Sequence, residues 1–234
     1  MAVFWGGVAV LWHAWLLWSG LAVTTGLSLS LGNTASFIGL QIAVIAALGA
    51  GEATLRGLSG GLLILAGFCA SVTGVGGSGA TLGELGWQIQ AHVLISLFAY
   101  GLLTVGAIVS LYALVQDRRL RTAQLSPVNQ LFAPLETTEK LLFGVTSTGF
   151  LILLLAVFSG LAFVENLFAQ HLVHKTVLSL IALFLFGVLL AGRQFAGWRG
   201  RRAVFLYLWG FIVLGLAYFG SRYILEYLLG RTWG

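Results

Sequence analysis

From residue 3 to about residue 229 the chain alternates apolar runs with short polar turns, and this alternation limits what it can fold into. Seven runs are readable, at about 3–23, 34–51, 62–75, 88–115, 141–164, 172–191 and 203–229. A helix needs about 20 apolar residues to cross a hydrocarbon core roughly 30 Å thick. The third run is barely long enough, and tilt or its flanking glycines would have to extend it. Lipid offers no water to the backbone, so each run must satisfy its amides internally, as a helix does. Composition agrees: 59% of residues are hydrophobic and 8% charged, against about 25% charged in a soluble domain. The expected fold is all-α, a polytopic transmembrane helical bundle of about seven membrane helices. It is read as a single integral membrane domain over residues 1–234.

The net charge of +5 points to neither nucleic acid nor an acidic substrate, because the arginines gather in a few turns. Arg56 lies after the second run, Arg118, Arg119 and Arg121 after the fourth, and Arg193, Arg199, Arg201 and Arg202 after the sixth. Basic turns face the cytoplasm in membrane proteins, which places the N-terminus there as well. Residues 117–138 and 192–202 read as the two longer cytoplasmic loops. No cleavable signal is expected, since Met1 to Trp5 holds no Lys or Arg. The single Cys69 excludes an internal disulfide. Gly74-Val-Gly-Gly-Ser-Gly79 lacks the Gly-Lys-Ser/Thr ending of a phosphate loop and reads as a connector. Glu136 and Glu139 suit the positive end of the fifth helix, and Arg222 and Glu226 are spaced to pair.

Ionisable groups inside apolar runs are costly and usually have a partner or a task. His92, Ser96 and Tyr100 recur every four residues and share one helical face. His171 and His174, followed by Lys175, open the sixth run. The charge argument puts all three histidines at the same, extracytoplasmic level. They are either interfacial polar residues or ligands. A haem iron held by two histidines takes one on each face. His171 and His174, three apart on one helix, cannot fill both, so one of them would pair with His92. Glu165 could complete a zinc set, although no cysteine is near. His13 falls near the middle of the first run, as a packing residue or a ligand. Trp5, Trp12, Trp15 and Trp18 accompany it, read as ordinary packing or as lining for a cofactor or neighbouring helix.

Five stretches carry a resemblance: His92-Val-Leu-Ile-Ser-Leu-Phe-Ala-Tyr100, Pro134-Leu-Glu-Thr-Thr-Glu-Lys-Leu-Leu-Phe143, His174-Lys-Thr-Val-Leu-Ser179, Gly197-Trp-Arg-Gly-Arg-Arg202 and Ala217-Tyr-Phe-Gly-Ser-Arg222. Together they resemble the cytochrome c assembly family of haem-handling membrane proteins, the CcsA/CcmC/HemX group, and most closely its YpjD-like branch. The resemblance implies a helical bundle that binds or passes haem, with His92 at the position of an external haem ligand and His13 at that of a membrane histidine. It implies a link to c-type cytochrome assembly, with cytochrome c maturation proteins or tetrapyrrole-synthesis enzymes as partners beside membrane lipid. The bacterial cytoplasmic (inner) membrane is the expected location.

The sequence departs from the family in several places. The segment before the sixth run, Glu165-Asn-Leu-Phe-Ala-Gln-His-Leu-Val-His174, lacks the family's Trp-rich motif ending in Trp-Asp. Residues 203–234 hold no second external histidine, and none stands near the end of the sixth run. Met1 begins where the second helix of the YpjD-like branch would. With no nucleophile–base pair or carboxylate dyad readable, the expectation is a haem carrier or chaperone and not an enzyme. The alternatives are a HemX-like accessory protein restraining tetrapyrrole synthesis, acting through residues 117–138, and a component of a small-solute or ion transporter. No inverted repeat supports the transporter.

Overall fold

The computed structural model of the protein describes residues 2–22, 30–52, 55–75, 85–121, 134–163 and 170–220. Seven helices run through them: α1 (Ala2–Ala22), α2 (Leu31–Gly49), α3 (Arg56–Ser71), α4 (Trp87–Arg121), α5 (Leu135–Phe163), α6 (Gln170–Ala196) and α7 (Gly200–Gly215). A π-helical turn, Leu216–Gly220, continues α7. There is no strand among the described residues, and the expected all-α bundle is what the chain forms. Five helices, namely α2, α4, α5, α6 and α7 with its π turn, are long and apolar enough to cross a membrane. α3 has 16 residues and is shorter, as its apolar run suggests.

Capping and ion pairing move several boundaries from where hydropathy puts them. Ser30 caps α2 by accepting a hydrogen bond from the Asn33 amide at 3.2 Å, so the helix starts before the apolar run does. α4 has 35 residues, about 52 Å at 1.5 Å per residue. Its last turn carries Arg118, Arg119 and Arg121, which suit the negative end of the helix dipole. Asp117 pairs with Arg121 one turn on, at 3.0 Å. The stretch expected to be a loop over 117–138 is therefore helical at both ends. The loop expected over 192–202 shrinks to residues 197–199, because α6 continues to Ala196 and α7 begins at Gly200. The Arg222–Glu226 pair, Glu165 and residues 76–79 lie outside the described residues.

Successive helices run antiparallel. Gly6 faces Ala47 and His13 faces Ser36 across α1 and α2, and Gly49 faces Ser59 and Gly32 faces Val75 across α2 and α3. His92 meets Ser159, Leu103 meets Gly149 and Gln116 meets Thr138 across α4 and α5. Phe150 lies on Gly187 and Arg193 over Phe143 across α5 and α6. The turns after α2, α4 and α6 thus gather at one end with the start of α1. That end holds Arg56, the arginines of α4 and those around the α6–α7 turn, so the basic turns share a side as expected. The other end holds the starts of α2, α4 and α6.

The core centres on Tyr207 of α7, fully buried, whose hydroxyl donates to the Leu103 carbonyl at 2.8 Å. Phe186 of α6 meets its ring edge-on at 5.1 Å. The Tyr207 hydroxyl occupies the space above Gly106 that a side chain would need. Gly144 of α5, in contrast, has nothing within 4 Å of a Cβ. Gly106→Ala is therefore expected to lower stability by about 1–3 kcal/mol, as overpacking does. Gly144→Ala should be neutral or gain about 0.5–1 kcal/mol from helix propensity. Thermal unfolding of the two variants in detergent checks the contrast; equal midpoints would show that the Tyr207 contact does not constrain the bundle.

Candidate functional site

His92 sits in the second turn of α4, with its imidazole turned toward α5 and half-buried there. Gly160 makes room for it: a Cβ at that position would lie 3.0 Å from the imidazole Cε1. Nδ1 lies 2.9 Å from the Ser159 hydroxyl. That hydroxyl in turn donates to the Ala156 carbonyl at 2.8 Å. Ser159 thus holds one imidazole nitrogen of His92, as a metal-binding histidine has one ring nitrogen fixed by a hydrogen bond.

The residues sharing the His92 face have other duties. Ser96 donates back to the His92 carbonyl at 2.8 Å, so it tunes the helix and not the imidazole. Tyr100 donates to the Leu214 carbonyl at 2.9 Å. Leu214 lies just before the π turn, where the hydrogen-bond register shifts and backbone carbonyls need outside partners. The Tyr100 ring packs on Tyr218 at 5.7 Å, and the Tyr218 hydroxyl lies 3.3 Å from Thr34 of α2. Gln41 of α2 donates to the Leu97 carbonyl at 3.1 Å and packs against Gly101. This belt ties α2, α4 and α7 together one to two turns below His92.

α5 ends beside the start of α4, with Trp87 and Phe163 rings 6.2 Å apart. α6 begins at the same end, so His171 and His174 share the His92 end of the bundle. α6 packs on α5 and α7, which leaves α4 diagonally across the group. The His174 side chain is exposed and Lys175 is half-buried. The His171 side chain and all of Glu165 lie outside the described residues. Among the described residues, no group of three or more His, Cys, Asp and Glu side chains gathers as a metal cage would.

His13 lies between α1, α2 and α3, against the second turn of α2, and is 5% exposed. Its Nε2 is 2.9 Å from the Ser36 hydroxyl. The Thr73 hydroxyl is 2.8 Å from Ser36 and 2.6 Å from the Ala70 carbonyl. The one Thr73 proton has both the Ser36 oxygen and the Ala70 carbonyl within reach, and the Ser36 hydroxyl also engages His13 Nε2. Gly39 lets the imidazole and Cys69 approach α2 closely. The four tryptophans of α1 do not pack inside the bundle: Trp5, Trp12, Trp15 and Trp18 are each more than half exposed. Trp12 and Trp15 touch each other, with rings 5.2 Å apart. Spacing three and seven apart put them on a common face, and that face looks outward.

Sequence reasoning missed Ser159 and Gly160, the residues that fix His92. The signal was a Ser-Gly pair inside an otherwise apolar run, but nothing in one sequence says which helix it faces.

The family model described as cytochrome C assembly protein matches residues 5–229. The inner membrane protein YpjD of Escherichia coli K12 is 39% identical over 133 residues, covering 57% of this chain and 50% of that protein. An uncharacterized 28.8 kDa protein of Azospirillum brasilense is 31% identical over 150 residues, covering 63% of this chain and 55% of its own length. The aligned part of this chain thus spans about half the length of the curated relatives it matches. No solved structure matches. With all but the terminal residues inside the family model and a YpjD-like relative beside it, this membrane protein belongs to the cytochrome c assembly protein family.

Proposed function

We propose that the chain binds and hands on haem in the bacterial inner membrane, in the service of c-type cytochrome assembly. The observation that carries this reading is the held imidazole of His92: Nδ1 lies 2.9 Å from the Ser159 hydroxyl, at the end of the bundle where α4 and α6 begin. Family membership supplies the chemical class, and the donor fits it. Haem, when bound, offers an iron to which imidazole nitrogens coordinate. His92, together with His171 or His174 from the same end of the bundle, would hold the haem. In this reading the side chains bind and orient, and the protein works as a carrier. The arginine-rich end faces the cytoplasm, as the positive-inside rule directs, and the His92 end faces outward.

His13 serves the bundle in this reading. Its Nε2 is engaged by the Ser36 hydroxyl, which also meets Thr73, and its loss leaves that buried hydroxyl short of a partner.

His92→Ala is expected to abolish or strongly shift the Soret band of haem-loaded protein, and the combined His171→Ala and His174→Ala change should do the same. Ser159→Ala should weaken haem binding by about 10–100-fold, the usual cost of losing the group that orients a ligating histidine. Variants that keep the wild-type spectrum and affinity would sink the site. His13→Ala, by contrast, should lower thermal stability by about 1–3 kcal/mol with haem per folded protein unchanged. Haem loss without a stability change would move His13 into the ligand set.

A further inference from the structure

The Gly197-Trp-Arg-Gly-Arg-Arg202 stretch has no part in the His92 site, since it lies at the opposite end of the bundle. It is nonetheless a built turn. Gly197 has φ +63° and Gly200 φ +57°, a backbone region that favours glycine. The Trp198 amide donates to the Gly192 carbonyl at 3.0 Å. The Trp198 ring lies directly on Gly192, where any side chain would displace it. Glu139 of α5 then fixes the start of α7, accepting from the Gly200 amide and the Arg199 guanidinium, both at 2.9 Å.

The cations at this end fall into two groups. Several are paired: Arg121 with Asp117, Lys140 with Glu136, Arg199 with Glu139, and Arg201 with Asp117 at 3.8 Å. Arg193 and Arg202 have no carboxylate within ion-pair reach among the described residues. Both are held instead against Trp198: Arg202 stacks over its ring at 5.1 Å, and Arg193 donates to its carbonyl at 3.4 Å. Arg193 also lies over Phe143 at 4.7 Å. Two cations without a carboxylate partner among the described residues are thus fixed on one aromatic residue. Phe195 of α6 and Phe205 of α7 are both exposed near this turn, and Arg201 lies over the Phe205 ring at 6.0 Å.

The wider field favours an anion. Nine basic and four acidic side chains of the described residues lie at this end: Arg56, Arg118, Arg119, Arg121, Lys140, Arg193, Arg199, Arg201 and Arg202 against Glu52, Asp117, Glu136 and Glu139. The excess of five equals the net charge of the whole chain. A guanidinium pair recognises phosphate oxygens through directed hydrogen bonds. Trp and Arg at the edge of a membrane helix sit at headgroup depth. An anion with an apolar tail, placed there, matches both the cations and the exposed rings of Phe195 and Phe205.

We propose that Arg193 and Arg202, braced on Trp198, dock the headgroup phosphate of an anionic phospholipid, with its acyl chains against Phe195 and Phe205. The test is native mass spectrometry of the full chain, titrated with phosphatidylglycerol and with phosphatidylcholine of the same acyl chains. Wild type should bind phosphatidylglycerol in preference. Arg202→Gln, an exposed change that spares the core, should reduce that preference about tenfold, and the double change with Arg193→Gln should erase it. Lys140→Gln removes one charge from the same end and should leave the preference intact. Equal losses in Arg202→Gln and Lys140→Gln would mean diffuse attraction and overturn the site. So would equal binding of the two lipids by wild type, or displacement of phosphatidylglycerol by millimolar inorganic phosphate, which would mark a free-anion site.

Discussion

A polar group that enters the bilayer core must find its partner within the protein, since lipid supplies none. In this bundle that requirement decides where each helix lies. The hydroxyl of Tyr207 ties α7 to the Leu103 carbonyl of α4, and the hydroxyl of Tyr100 ties α4 to the Leu214 carbonyl of α7. Gln41 ties α2 to α4 at the Leu97 carbonyl. His13 ties α1 to α2, and the Ser36–Thr73 link carries the same chain past the end of α3. Gln41 Oε1 and Ser110 Oγ are the exceptions among the described residues, buried without a partner. Glycines opposite the polar side chains allow this. Gly101 admits Gln41, Gly106 admits Tyr207 and Gly160 admits His92.

The same rule gives His92 its chemistry. A histidine buried against Ser159 could be nothing more than satisfied. What separates it from His13 is which nitrogen is engaged: Nδ1 of His92 meets the Ser159 hydroxyl, and Nε2 of His13 meets the Ser36 hydroxyl. Two histidines of equal standing in the sequence thus differ in how they are held. The difference comes from hydroxyls on other helices, at positions 36, 73 and 159.

That distinction marks how much was legible beforehand. Apolar runs of sufficient length gave the helices and their number, because hydrophobic length is a local property. Arginine placement gave the shared end of the turns after α2, α4 and α6. Local capping shifted the boundaries at Ser30 and Asp117, since a cap or an i, i+4 pair extends a helix beyond its apolar stretch. Tertiary placement was not readable. The tryptophans of α1 have helical spacing that suits a packed face, yet they look outward. Ser159 and Gly160 carried no mark of facing His92, because pairing between helices is not written in either helix alone. The Trp198 turn was visible as a motif, but its two uncompensated arginines emerged only once Glu139, Asp117 and Glu136 had been matched to their own cations.

The account rests on His92 Nε2 meeting a haem iron with a second histidine opposite. Electron paramagnetic resonance of the haem-loaded ferric protein tests this most directly, because two imidazole ligands force ferric haem into the low-spin state. The account predicts a low-spin spectrum in wild type that turns high-spin, or is lost with the haem, in His92→Ala. A high-spin wild-type spectrum, or a low-spin one that His92→Ala leaves unaltered, would contradict it.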